Sequence, residues 1–195
     1  MATVVLFHHA QGLTDGVLGF AERLREAGHE VHTPDLFDGR TFDTVVDGVN
    51  HVADIGFPAM LQRGAAAVGH LPTELVYAGF SLGVLPAQML AQGRTGARGA
   101  LLLEACVPPS EFGDRWPDEV PVQVHGMTED PYFAGEGDLD VARALTAQVE
   151  GGELFLYPGD AHLFADPTLP SYDEEAAGLL IDRVLAFLER VDARA

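Results

Sequence analysis

Short apolar runs and longer amphipathic stretches alternate along this chain. Residues 4–8, 30–33, 75–79, 100–104, 122–125 and 153–157 are near-continuous apolar runs. Runs of that length without polar alternation fit strands covered on both faces, as in a parallel sheet. Helical spacing appears between them. Phe20, Leu24 and Ala27 share one face, and Gly28 follows as a stop. Leu85 and Met89 mark the inner side of a second helix, and Val84, Gln88 and Gln92 its outer side. In the last helix Leu180, Val184, Phe187, Leu188 and Val191 form a core stripe, and Ser171 with Glu174 reads as a capping box. Pro86 lies early in the second helix, where a lost hydrogen bond predicts a kink or a loosened first turn.

Alternating strands and helices predict an α/β fold with right-handed crossovers, residues 1–195 forming one domain. In such sheets ligands bind beyond the carboxyl ends of the strands. The segments that follow the runs are polar or glycine-rich, among them residues 9–12, 34–36, 80–83, 106–108, 126–138 and 158–170. They are expected to share one working face.

Composition narrows the partners. Eleven Lys and Arg stand against 30 Asp and Glu, a formal net charge of -19. Such a surface repels phosphate backbones and anionic lipid, so the expected partner is a small molecule rather than nucleic acid or a membrane. Cys106 is the only cysteine, so no intrachain disulfide forms. The N-terminus reads as a strand rather than a signal peptide, and a cytoplasmic location is the expectation. The oligomeric state leaves no mark on the pattern.

The chemistry gathers around Gly79-Phe80-Ser81-Leu82-Gly83, a G-x-S-x-G motif between an apolar run and a helical stretch. A serine at a sharp strand-to-helix turn needs small neighbours two residues away on each side. It gains an exposed Oγ at a helix start, where the Leu82 N–H can hold an oxyanion. A serine needs a base to become a nucleophile. Of eight histidines only His162 lies well downstream, after the run 153–157 in a turn-forming segment. The acid is expected after the run 122–125. Asp130, beside Pro131, is the choice; Glu129 is the alternative, and Asp138 a weaker one that also reads as a helix N-cap. A second oxyanion donor is expected from the N–H of Ala10 or Gln11 in the first loop.

Pocket candidates are His9, Gln11, Cys106, Trp116, Tyr132, Phe133, Leu163 and Phe164, with Arg40 and Arg115 as anion contacts. No cofactor or metal is implied. His8, His9, His125 and His162 raise a metal-dependent reading, but no ligand spacing supports it. A non-catalytic binding module is the other rival.

The chain resembles the dienelactone hydrolase family over nearly its whole length. The resemblance rests on residues 5–12, on Pro34-Asp35-Leu36-Phe37-Asp38-Gly39-Arg40, on the G-x-S-x-G segment, on His125-Gly126 with Asp130, and on His162-Leu163-Phe164. It implies an α/β-hydrolase fold without a lid domain, and a nucleophile–Asp–His triad on Ser81, Asp130 and His162. Three positions depart from the family pattern. Ser81 stands in place of a cysteine and His9 in place of a first-loop glutamate. Asp166 stands where an arginine would hold a substrate carboxylate. An acid at that place points to a neutral ester, lactone or thioester as substrate.

Overall fold

The computed structural model describes residues 1–194. Six strands form one sheet: β1 (Thr3–Phe7), β2 (Glu30–His32), β3 (Val76–Phe80), β4 (Gly99–Leu103), β5 (Val122–Met127) and β6 (Glu153–Tyr157). Their order is β2-β1-β3-β4-β5-β6, and every neighbouring pair is parallel. Six α-helices connect them: α1 (Asp15–Glu26), α2 (Val45–Ile55), α3 (Phe57–Ala67), α4 (Val84–Gly93), α5 (Asp138–Gln148) and α6 (Glu174–Asp192).

Strand side chains alternate between two cores. Val4 and Leu6 of β1 join Phe20 and Leu24 of α1 and Leu180 and Val184 of α6. Val5 and Phe7 join Met60 of α3, Ala87 of α4 and Ala142 of α5 on the other face. Burial on both faces explains why the strands lack polar alternation. Strand order reverses between β1 and β3, so the loops leaving these two strands diverge and open a crevice.

Several local expectations need correction. Helix α6 begins at Glu174 and is capped by Asp173, whose carboxylate accepts from the Ala176 N–H at 3.0 Å. Ser171 instead turns its hydroxyl toward the Leu163 carbonyl, so no capping box forms. Asp138 is the first residue of α5, and the cap position belongs to Gly137 at φ +102°. Pro86 breaks nothing: a 3₁₀ turn over Ser81–Gly83 precedes α4, and Pro86 is third in that helix. An N–H there has no intrahelical acceptor to lose. Helices α2 and α3 carry weak sequence signals, because α2 buries only Gly48 and Val52, and α3 only Met60 and Gly64. No helix among the described residues is long and apolar enough to cross a membrane.

Candidate active site

Ser81 leaves β3 at φ +47°, a left-handed conformation that a serine adopts only when its surroundings impose it. The flanking glycines show what imposes it. A β-carbon at Gly79 would lie 2.1 Å from the Gly83 carbonyl oxygen, and one at Gly83 would lie 2.5 Å from that of Phe7. The turn folds so tightly against itself and β1 that no larger residue fits at either place.

His162 comes from the loop after β6, held by Leu163 at φ +61°. Its Nδ1 donates to Asp130 Oδ2 at 2.7 Å, which leaves Nε2 to accept from Ser81 Oγ at 2.8 Å. Asp130 is fully buried beyond β5, and its second oxygen accepts from the Tyr132 N–H at 2.8 Å. The other two acid candidates do not bond His162. Glu129 is exposed, and Asp138 accepts from the Cys106 N–H at 2.9 Å. Burial alone would drive His162 toward the neutral form. The hydrogen bond to Asp130 and the charges of Glu104, Asp130 and Glu136 outweigh it, so its pKa lies above the ordinary imidazole value.

The first loop distinguishes its two amide candidates. The Gln11 N–H is occupied by His9 Nδ1 at 3.2 Å. The Ala10 N–H makes no hydrogen bond among the described residues. Ala10, Ser81 and Leu82 share the walls of one cleft of about 330 Å³ with His162. Helix α2 backs this loop closely, since a β-carbon on Gly48 would lie 1.7 Å from the Ala10 carbonyl oxygen.

His9 has a second task. With Nδ1 accepting from Gln11, its Nε2 donates to Asp166 Oδ2 at 3.0 Å, and both side chains are buried. Thr14 donates to the same carboxylate at 2.6 Å, and the Thr168 N–H to its other oxygen at 2.8 Å. A bare Gly16 lets that carboxylate reach the start of α1, since a β-carbon there would meet Asp166 Oδ1 at 1.6 Å. Burial raises the Asp166 pKa, but these donors win and hold it down at about 2.

The cleft beside Ser81 differs from the expected pocket. Of the expected side chains only Tyr132 lines it, its ring 4.6 Å from that of His162. His9 and Gln11 are turned away, the latter donating to the Phe42 carbonyl. Cys106 and Phe133 are buried in one core and Phe164 in the other, and Leu163 is also buried. Phe133 packs on Gly126, and burial pushes the Cys106 thiol up to about 12. Trp116 donates to the Val120 carbonyl and lines a separate cavity with Arg115, while Arg40 is exposed. Asp166 also lies outside the cleft, so it is not placed to repel a substrate carboxylate there.

The walls come instead from residues that were not among the expected pocket side chains. Val45 and Val49 of α2, Leu85 of α4 and Val107 supply the apolar part. Glu104, Glu136 and Asp138 supply the polar part. Glu104 sits at φ +66° just beyond β4, buried, with Oε1 accepting from the Phe164 N–H at 2.8 Å. Its Oε2 has no hydrogen-bond partner. Burial pushes its pKa up to about 7, against the opposing pull of His162.

His8 and His125, the other two histidines of the metal reading, are committed to structure. His8 donates through Nδ1 to the His9 carbonyl and accepts from the Leu36 N–H at 3.0 Å, tying the Pro34-Asp35-Leu36 stretch to β1. His125 bonds Tyr157 and Gln123. Burial lowers these two imidazoles to about 4 and about 3. Among the described residues, no three His, Cys, Asp or Glu side chains converge as a metal site.

The dienelactone hydrolase family model matches residues 1–192. The chain belongs to the dienelactone hydrolase family. It is therefore a member of a hydrolase family, and several solved structures share its fold. A dienelactone hydrolase-like promiscuous phosphotriesterase from metagenomic libraries superposes with a TM-score of 0.75 at 19% identity, covering 98% of this chain and 87% of the other. An α/β hydrolase from a Medee basin deep-sea metagenome library gives 0.70 at 16%, covering 97% and 84%. Thermogutta terrifontis esterase 2, phosphorylated by paraoxon, gives 0.63 at 18%, covering 97% and 82%. At these identities the likeness is one of fold. No curated protein matches the chain by sequence.

Proposed function

We propose that this dienelactone hydrolase family member cleaves a small ester, lactone or thioester through an acyl-enzyme on Ser81. The supporting observation is the unbroken chain Ser81 Oγ to His162 Nε2 (2.8 Å) and His162 Nδ1 to Asp130 (2.7 Å). A serine in a strained turn, bonded to an imidazole that a buried carboxylate orients, is the arrangement that makes a hydroxyl nucleophilic.

In this reading His162 Nε2 takes the Ser81 proton as Oγ attacks the carbonyl carbon. The carbonyl oxygen becomes an oxyanion, held by the N–H groups of Leu82 and Ala10. The imidazolium returns its proton to the leaving alkoxide or thiolate, and the acyl group remains on Oγ. Water then attacks the acyl carbon while His162 takes a proton from it. The carboxylic acid leaves, and Oγ regains its hydrogen. Asp130 holds the Nδ1–H tautomer and stabilises the imidazolium in both halves.

Hydrolysis of p-nitrophenyl acetate by wild type and by Ser81→Ala tests the proposal. The variant is expected to lose activity by roughly a thousandfold or more. A Ser81→Ala protein as active as wild type would remove Ser81 from the reaction.

A further inference from the structure

The cleft at Ser81 is unusual in the sign of its charge. Glu104, Glu136 and Asp138 line it together with His162. The chain has no lysine, and none of its 11 arginines lines the cleft. Arg63 bonds the Leu36 carbonyl, Arg94 Tyr77, Arg98 the Val191 carbonyl and Arg190 Glu153, all away from it. Apart from the His162 imidazole, no cationic side chain among the described residues offsets the three carboxylates within the cleft.

Two further observations give this wall a direction. Glu104 is buried where it borders the cleft, and among the described residues its Oε2 has no hydrogen-bond partner. A buried carboxylate oxygen without a donor is costly unless a donor arrives. Tyr132, at 37% exposure, presents its ring on the same cleft. A tyrosine face beside carboxylates receives an alkylammonium well, by cation–π attraction added to charge attraction. The apolar side chains of Val45, Val49 and Leu85 leave room for the aliphatic part of such a molecule.

We infer that the cleft selects esters bearing a positively charged amine, with Glu104, Glu136 and Asp138 receiving the cation and Tyr132 covering it. This rests on the ester-hydrolase reading above and adds the charge class of the substrate. Burial pushes both the Glu104 and the Asp138 carboxyls above their ordinary values, with like charge contributing to each. A bound cation would reverse that pressure.

The test is a series matched in shape and differing in charge: the ethyl esters of ε-aminocaproic acid and heptanoic acid and the monoethyl ester of pimelic acid. Acetylcholine against its neutral carbon isostere, dimethylbutyl acetate, places the cation on the alcohol side. Binding is read by calorimetry on Ser81→Ala protein, and kcat/KM on wild type. In at least one of the two sets the cationic ester is expected to bind about tenfold more tightly than its neutral partner. The anionic ester should bind most weakly. The preference should shrink in a Glu136→Gln, Asp138→Asn double variant and with added salt. Equal binding within both sets, or tighter binding of the anion, would overturn the inference. The binding arm needs no turnover, so the two readings fail separately. Neutral esters cleaved without charge preference would leave the hydrolase reading intact and end this one. Cation-selective binding with no ester cleaved would do the reverse.

Discussion

The molecule contains two buried histidine–aspartate pairs, and they differ in what the second imidazole nitrogen meets. In one, Asp130 holds His162 Nδ1 at 2.7 Å and Nε2 faces the Ser81 hydroxyl. In the other, Asp166 holds His9 Nε2 at 3.0 Å and Nδ1 accepts the Gln11 N–H. The first imidazole has a proton donor that can give its proton away; the second has a backbone amide that cannot. The carboxylates differ as well. Asp166 is saturated by Thr14, Thr168 and His9, whereas Asp130 spends its oxygens on one imidazole and one amide. On the proposed reading, the first pair serves proton transfer and the second rigidity. The second pair also joins the two positions at which the chain departs in charge from the family pattern. It pins the residues on either side of Ala10 and leaves the Ala10 N–H free.

Breaking the pairs one at a time should separate these roles. Asp130→Asn leaves the imidazole without its orienting acceptor, and kcat is expected to fall by roughly a hundredfold to ten-thousandfold with little change in melting temperature. Asp166→Asn should act chiefly on stability. Its carboxyl is held at about 2 against an ordinary 3.8. The stabilisation is therefore complete above pH 3.8 and lost as pH falls through about 2. It amounts to about 2 kcal/mol at neutral pH. Chemical denaturation at pH 7 should show that loss, with kcat reduced by less than about tenfold because the Ala10 loop loosens. Comparable losses of kcat in the two variants would erase the distinction.

Glu104 sharpens the contrast from the side of the reacting pair. Folded Glu104 keeps its proton to about pH 7, whereas the unfolded side chain loses it near 4.5. Stability therefore falls as pH rises from 4.5 through 7. Glu104→Gln removes that loss and should stabilise the protein at pH 8 by up to about 3 kcal/mol. The same change removes a negative charge that favours the His162 imidazolium. With His162 raised above 6.5, the acid limb of kcat/KM in wild type should lie above pH 6.5. It should move to lower pH in Glu104→Gln. A limb that stays in place would mean that Glu104 does not act on His162.

The candidate site was legible in the sequence where geometry forces a residue type. Gly79 and Gly83 are legible because any β-carbon there collides with backbone, and His162 because it alone follows the late strand. Asp130 and Glu129 are adjacent carboxylates, and only their burial separates them. The pocket was misread for a consistent reason. Aromatic residues in loops suggest recognition, but Phe133, Phe164 and Trp116 fill the interior or are buried apart from the cleft. The true walls come from α2, whose buried stripe is too thin to announce a helix, and from Glu104, which reads as the end of a strand. Neither carries a local pattern, because both are placed by crossovers that bring distant segments to one edge of the sheet.

The central claim is that Ser81 is activated by His162, and covalent labelling addresses it most directly. Protein treated with a fluorophosphonate probe is to be measured by intact mass and peptide mapping, beside His162→Gln. The account predicts one adduct per chain, on Ser81, formed far more slowly in the variant. An unlabelled Ser81, under conditions that label a control serine hydrolase, would contradict it.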